Sequence, residues 1–210
     1  MLKQFVLGMV FCTALIGAAH AQSKDLQFGI KGGLGFSEIS GSTVDKSPRM
    51  GIQFGGVMTQ KISDSLSMQY EAIYTQKGIV LKQSLPGYDY DNNTLTEYDH
   101  TTEFMFDYIE IPILAKLNIS KTWAIYGGGY ASIAINQKAK VTMESTEYTT
   151  EAHINDSFTN PFDYGVLLGV QAQLAERWAV DARYTLGLTD VSTSGDSKNS
   201  TIAISATYLL

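Results

Sequence analysis

Residues 26 to 37 read LQFGIKGGLGFS, and the stretch has a strict period of two. Leu26, Phe28, Ile30, Gly32, Leu34 and Phe36 share one face, while Gln27, Gly29, Lys31, Gly33, Gly35 and Ser37 share the other. Such alternation marks a strand whose two faces meet different surroundings. The four glycines and the lysine also suggest a phosphate-binding loop, but the spacing fits neither G-x-G-x-x-G nor G-x-x-x-x-G-K-[ST].

The pattern recurs along the chain. Met50, Ile52, Phe54, Gly56, Met58 and Ile62 oppose Gly51, Gln53, Gly55, Thr59 and Lys61. Leu66, Met68, Tyr70, Ala72, Tyr74 and Val80 oppose Ser67, Gln69, Glu71, Thr75 and Lys77, and Ile109, Ile111, Ile113, Ala115, Leu117 and Ile119 oppose Glu110, Pro112, Lys116 and Asn118. A fifth segment, Trp123 to Asn136, is glycine-rich and leaves its facing open. Phe162, Tyr164, Val166, Leu168, Val170, Ala172 and Leu174 then oppose Asp163, Gly165, Gly169, Gln171 and Gln173. Trp178, Val180, Ala182, Tyr184, Leu186 and Leu188 oppose Asp181, Arg183, Thr185 and Gly187; Ile202, Ile204, Ala206, Tyr208 and Leu210 oppose Thr201, Ser205 and Thr207.

Eight such segments, an even number, can close into an antiparallel barrel that has no exposed edge. Three connections are very short, Ser63-Asp64-Ser65, Ser120-Lys121-Thr122 and Ala175-Glu176-Arg177. They alternate with longer polar ones at 39–49, 83–103, 137–160 and 190–199. Short periplasmic turns and long extracellular loops are the asymmetry of outer-membrane barrels. The expected fold is all-β, an eight-stranded antiparallel up-and-down transmembrane β-barrel with both termini on the periplasmic side.

The aromatic residues indicate which face is outside. Trp123 and Trp178 follow short turns and Tyr208 lies near the C-terminus, whereas Phe36, Tyr74, Phe162 and Tyr164 gather toward the other rim. Two aromatic girdles around an apolar band describe a surface in contact with lipid. The alternative is a soluble barrel with the apolar faces inward, as in a lipocalin. Sparse charges interleaved with glycine on the opposite face suit a narrow lumen better than a solvated exterior.

The first 21 residues support export. Lys3, an apolar run from Phe5 to Ala18 and the triplet Ala19-His20-Ala21 read as a signal peptide cleaved after Ala21, leaving residues 22–210 as one barrel domain. The single cysteine, Cys12, lies in that run without a lipoprotein cleavage box before it. Loss of Lys3 takes the formal charge from −6 to −6 − 1 = −7, a poor balance for binding nucleic acid.

The stretches PRMGIQFGG (48–56), QYEAIYTQKG (69–78), YIEIPILAKL (108–117), DYGVLLGV (163–170) and VDARYTLGLTDV (180–191) resemble the Bacteroidota-type outer-membrane β-barrel domain family, often described as porin-family or PorT-like proteins. The resemblance spans nearly all of the mature chain and implies an eight-stranded outer-membrane barrel without implying one activity. One departure is the ending Tyr208-Leu209-Leu210 where many such barrels end in an aromatic residue, so the insertion signal is expected to be imperfect.

The polar faces carry Lys31, Lys61, Lys77, Lys116 and Arg183 against Glu71, Glu110, Asp163 and Asp181. These charges nearly cancel, whereas an ion-selective channel favours a ring of one sign. Eight strands leave an interior that side chains can fill. The expected state is a plugged lumen held by an ion-pair network, with a small porin-like channel as the alternative and a membrane-embedded enzyme as a third reading. A direct register with index sum 187 would set Glu71 opposite Lys116 and Lys77 opposite Glu110, with Tyr74 beside Ile113 and Tyr70 beside Leu117. Pro112 lacks an N–H in a closed sheet, so a bulge or a lost ladder bond is expected there.

The segment LPGYDYDNNTLTEYDHTTE is acidic through Asp89, Asp91, Glu97, Asp99 and Glu103. It fails the EF-hand pattern, since Thr94 stands at position six and His100 at position twelve. A solvated, mobile loop is the expected reading. The mature chain's two histidines, His100 and His153, both fall in long polar connections and build no recognisable triad. No enzyme activity, metal or cofactor is expected. The anticipated partners are outer-membrane lipid and an extracellular ligand or protein reached through 83–103 and 137–160, where Tyr88, Tyr90 and Tyr98 could supply contact surface.

Overall fold

Each alternating segment forms a strand, because only pairing on both sides satisfies every backbone N–H and C=O in a wall surrounded by hydrocarbon. The computed structural model describes residues 26–40, 46–89, 94–143, 148–153, 160–191 and 197–210; the expected signal peptide, residues 1–21, lies outside them. The strands are β1 (Leu26–Ile39), β2 (Lys46–Lys61), β3 (Leu66–Asp89), β4 (Thr94–Asn118), β5 (Trp123–Met143), β6 (Tyr148–His153), β7 (Phe162–Gln173), β8 (Trp178–Asp190) and β9 (Lys198–Leu209).

Eight of them close a ring in the order β1, β2, β3, β4, β5, β7, β8, β9, and β9 returns to pair antiparallel with β1 from Gly29↔Leu209 to Ile39↔Asn199. This is the up-and-down barrel that the alternation predicts. The three short turns gather at one rim with both ends of the ring, where backbone bonds tie neighbouring turns together: Asn118 N to Ser65 O at 2.8 Å, Gln173 N to Thr122 O at 2.7 Å and Leu209 N to Arg177 O at 2.8 Å.

At the opposite rim the wall continues past the barrel. The connections expected at 83–103 and 137–160 are largely strand: β3 and β4 stay paired up to Asp89↔Thr94, and β6 adds to the end of β5 from Lys138↔His153 to Met143↔Tyr148. Polarity on both faces marked where these segments leave the bilayer and did not mark a loss of pairing. Residues 90–93 of the first of these connections, with Tyr90 and Asp91, and residues 144–147 and 154–159 of the second lie outside the described residues.

The expected register of β3 and β4 is corrected. Their partners sum to 183, so Tyr70 faces Ile113, Tyr74 faces Ile109, Lys116 faces Ser67 and Lys77 faces Phe106. Parity admits 183 and 187 equally, since both keep the same residues inside. Direct opposition was the wrong criterion because long side chains in a narrow lumen reach strands farther round the ring. Near Pro112 the ladder drops the two pairs between Tyr70↔Ile113 and Ile73↔Glu110, consistent with its missing N–H. Lys61 also lies at the exposed turn rim, not in the lumen, and pairs with Asp64 at 2.8 Å.

Ring closure makes a testable statement about cooperativity. The protein in detergent should migrate differently on a gel before and after boiling; one position under both conditions would exclude a closed, detergent-resistant barrel.

Candidate functional site

The lumen is built in tiers. In the half nearer the short turns, Lys31 on β1, Glu71 on β3, and Asp181 and Arg183 on β8 converge from three strands. Lys31 Nζ lies 3.1 Å from Glu71 Oε1 and 2.9 Å from Asp181 Oδ1, and Arg183 Nη2 donates to Glu71 Oε2 at 2.9 Å. Gln69 Nε2 donates to Glu71 Oε1 at 2.6 Å, and the Tyr126 hydroxyl donates to Asp181 Oδ2 at 2.6 Å. The ionic side chains are 0–2% exposed, so each has exchanged water for these partners.

Beside them, Leu114 of β4 and Leu167 of β7 form a buried apolar cluster with Tyr126 and Tyr130 of β5. A second ionic group follows. Lys77 Nζ reaches Glu110 Oε2 at 2.8 Å and Asp163 Oδ2 at 3.4 Å, and lies 4.6 Å from the Tyr130 ring centroid. Tyr130 OH, Thr189 Oγ1 and Asn199 Nδ2 donate to the Asp163 carboxylate at 3.1, 2.7 and 3.3 Å. Ile39, Ile79, Phe106, Tyr108 and Val191 then form an apolar cluster at the outer end.

The structure thus brings together Lys31, Glu71, Asp181 and Arg183, and separately Lys77, Glu110 and Asp163. The proposed Glu71–Lys116 pair does not form: Glu71 turns to Lys31 and Arg183, while Lys116 is half-exposed and makes no ion pair among the described residues. Lys77 and Glu110 do meet, diagonally, since Glu110 is opposite Ile73.

Two lumenal tyrosines were hidden by the open facing of β5. Tyr126 faces Gly169 and Tyr130 faces Gly165 on β7, both with index sum 295. A Cβ on Gly169 would strike the Tyr126 ring, and one on Gly165 the Tyr130 ring. The Tyr-x-x-x-Tyr and Gly-x-x-x-Gly spacings on adjacent antiparallel strands were the legible signal. A further missed pair is Arg49 Nε with Glu103 Oε1 at 2.8 Å, which joins β2 to β4. Arg49 lies where β2 and β3 slip register, its Cδ 2.8 Å from the position of a Gly78 Cβ, and Gly78 has φ +152°. A side chain at 78 would meet Arg49 and the Phe104 carbonyl, so glycine there keeps the path of the arginine open.

On the outer face, Trp123 and Trp178 stand at the short-turn rim, and the Trp178 and Tyr208 rings lie 5.1 Å apart. Phe36, Phe162 and Tyr164 are exposed nearer the other rim, and Tyr74 packs on Phe54 at 5.0 Å. From Ile109 on β4 to Ile119 just past its end, the outward apolar run covers about 33 Å, or about 25 Å along the normal at a 40° tilt, the height of a hydrocarbon band. His100 lies half-buried on β4 and pairs through its backbone with Met143. His153 falls on β6 and pairs with Lys138, so neither position is in an irregular loop.

The model of the outer membrane protein beta-barrel domain family matches residues 20–193. No curated protein matches the sequence. Among solved structures the chain is similar to Neisserial surface protein A (NspA), with 13% identity, 86% of this chain and 96% of that one covered, and a TM-score of 0.51; this likeness concerns the fold alone. It is also similar to Ail, the attachment invasion locus protein of Yersinia pestis, with 12% identity, 89% and 99% coverage and a TM-score of 0.47.

Removing one member of a buried ionic group strands the others. Arg183→Ala should destabilise the barrel by about 3–5 kcal/mol, read as a lower urea midpoint for unfolding from lipid vesicles. Lys116→Ala, at a half-exposed position, should cost under about 1 kcal/mol. Equal midpoints for the two variants would contradict the assignment of the lower tier.

Proposed function

Because the chain belongs to the outer membrane protein β-barrel domain family, we propose that it is a non-enzymatic outer-membrane barrel, closed to diffusion, that acts as a scaffold for surface binding. The observation carrying the closed lumen is the near-complete burial of Lys31, Glu71, Lys77 and Arg183, whose ion pairs run from β3 to β1, β8, β4 and β7. A permeating ion would have to break contacts of both signs.

Surface binding is supported by the sheet beyond the barrel. There β3, β4, β5 and β6 lie side by side, and among the described residues the outer edge of β6 pairs with no strand. An unpaired edge offers backbone donors and acceptors to an extended polypeptide, which makes an extracellular protein segment the favoured partner for 83–103 and 137–160. Residues 1–21 serve export in this reading. Trp123, Trp178 and Tyr208 anchor one bilayer interface, and Phe36, Tyr74, Phe162 and Tyr164 the other. The finer likeness to Bacteroidota-type PorT-like barrels rests on the motifs in the sequence.

Planar-bilayer recording tests the closed lumen. The wild-type protein should give no discrete conductance steps, while joint Glu71→Ala and Arg183→Ala substitution, which removes two of the four ionic groups of the lower tier, should produce them. Regular steps from the folded wild type would instead establish a pore.

A further inference from the structure

Beyond the barrel, β3 to β6 form a four-stranded sheet whose two edges are not alike. β2 pairs with β3 no farther than Lys46↔Leu81, so among the described residues β3 from Lys82 to Asp89 pairs only with β4. That edge carries an exposed lysine, Lys82, and an exposed proline, Pro86. Lysine and proline are residues that keep an edge strand from accepting another strand. β6 reads YTTEAH and has neither, and its two threonines favour extended backbone.

Strand direction restricts what can add to β6. β5 starts at the short-turn rim and runs away from the membrane, so β6, antiparallel to it, runs back toward the membrane. A strand added antiparallel to β6 therefore runs outward. A second copy standing in the same membrane presents its own β6 in the same direction, which allows only the less stable parallel pairing. Its β3 runs outward, but that edge is the one guarded by Lys82 and Pro86. The open edge thus suits a different polypeptide.

The rows of the sheet specify the chemistry of that polypeptide. Glu103 on β4, Lys140 on β5 and Glu151 on β6 stand in one row of the register, negative, positive, negative. A cation at the next position continues the alternation, because opposite charges across a strand pair attract and like charges repel. Thr150 and Ala152, both exposed, belong to the other face, where the rows behind them are Val141 with Thr102 and Ala139 with Phe104. Small or β-branched residues fit beside them. The formal charge of the chain, −6, favours the approach of a basic segment.

With β6 as the binding edge of the proposed scaffold, we propose that it takes an extended segment of another protein, added antiparallel and running away from the membrane. The segment carries lysine or arginine opposite Glu151 and small or β-branched residues on either side of it. Backbone bonds hold the segment, and the central cation sets its register. A slip by two residues would move that cation to Thr149 or His153 and lose the pair.

The test is fluorescence anisotropy of labelled nonapeptides added to the full mature chain in detergent micelles. One probe alternates threonine and valine around a central lysine, and the other has glutamate at the centre. The lysine peptide should bind roughly fivefold tighter, and Glu151→Lys should reverse the order in a chain that keeps heat-modifiable migration. Methylating one of the lysine peptide's two alternating sets of backbone nitrogens should abolish binding, and methylating the other should spare it. Thr150→Cys supplies the only cysteine of the mature chain and serves if Glu151→Lys does not fold. It should form a disulfide with a lysine peptide that has cysteine one position after its centre, not one before. Equal affinities, tighter binding of the glutamate peptide to the wild type, or a disulfide through the earlier position overturn the antiparallel basic segment and leave β6 as an edge for other strands. Binding by neither peptide, or binding that survives both methylations, overturns strand addition at β6 itself.

Discussion

The pairing of β9 with β1 is the constraint on which the rest depends, because it leaves the eight-membered ring without a free edge. In hydrocarbon an unpaired strand costs several kcal/mol per backbone group, so the wall is stable as a closed cylinder or not at all. Closure also sets the diameter. With eight strands, the interior is only wide enough for side chains from opposite walls to meet.

That narrowness explains why the lumenal charges sort by reach and not by adjacency. Glu71 on β3 takes its cations from β1 and β8, and Lys77, six residues along the same strand, takes its anions from β4 and β7. Strand β3 is thus tied to both halves of the ring. The tyrosines of β5 fill space that the glycines of β7 leave, and their hydroxyls serve Asp181 and Asp163, so packing and charge satisfaction are met by the same residues.

The outer face shows the complementary rule. Where the wall meets hydrocarbon, β4 presents Ile109, Ile111, Ile113 and Leu117; where it leaves, the same face changes within one step to Asp107. The sheet itself does not stop at that boundary. β3 and β4 run on in paired register, and β6 joins them, so the membrane edge is written in side-chain chemistry while the hydrogen-bond ladder passes through it.

Period-two patterning in the sequence determined the eight strands of the ring within the bilayer, the inward and outward faces of all but the glycine-rich fifth, and the sidedness of turns, because each depends only on local alternation and connection length. Lys31 inside and Gly32 outside follow directly from it. The glycine-rich Trp123–Asn136 segment resisted this reading since glycine favours neither face, and Tyr126 and Tyr130 were missed with it. Tertiary structure alone decided the register of β3 with β4, the partners of Glu71, and the meeting of Gln76, Asp107 and Asn136. The physical reason is that parity tells which face a residue occupies but not its height or the strand it will meet. Those follow from bulges, from the stagger of the closed ring and from the span of long side chains across a narrow lumen.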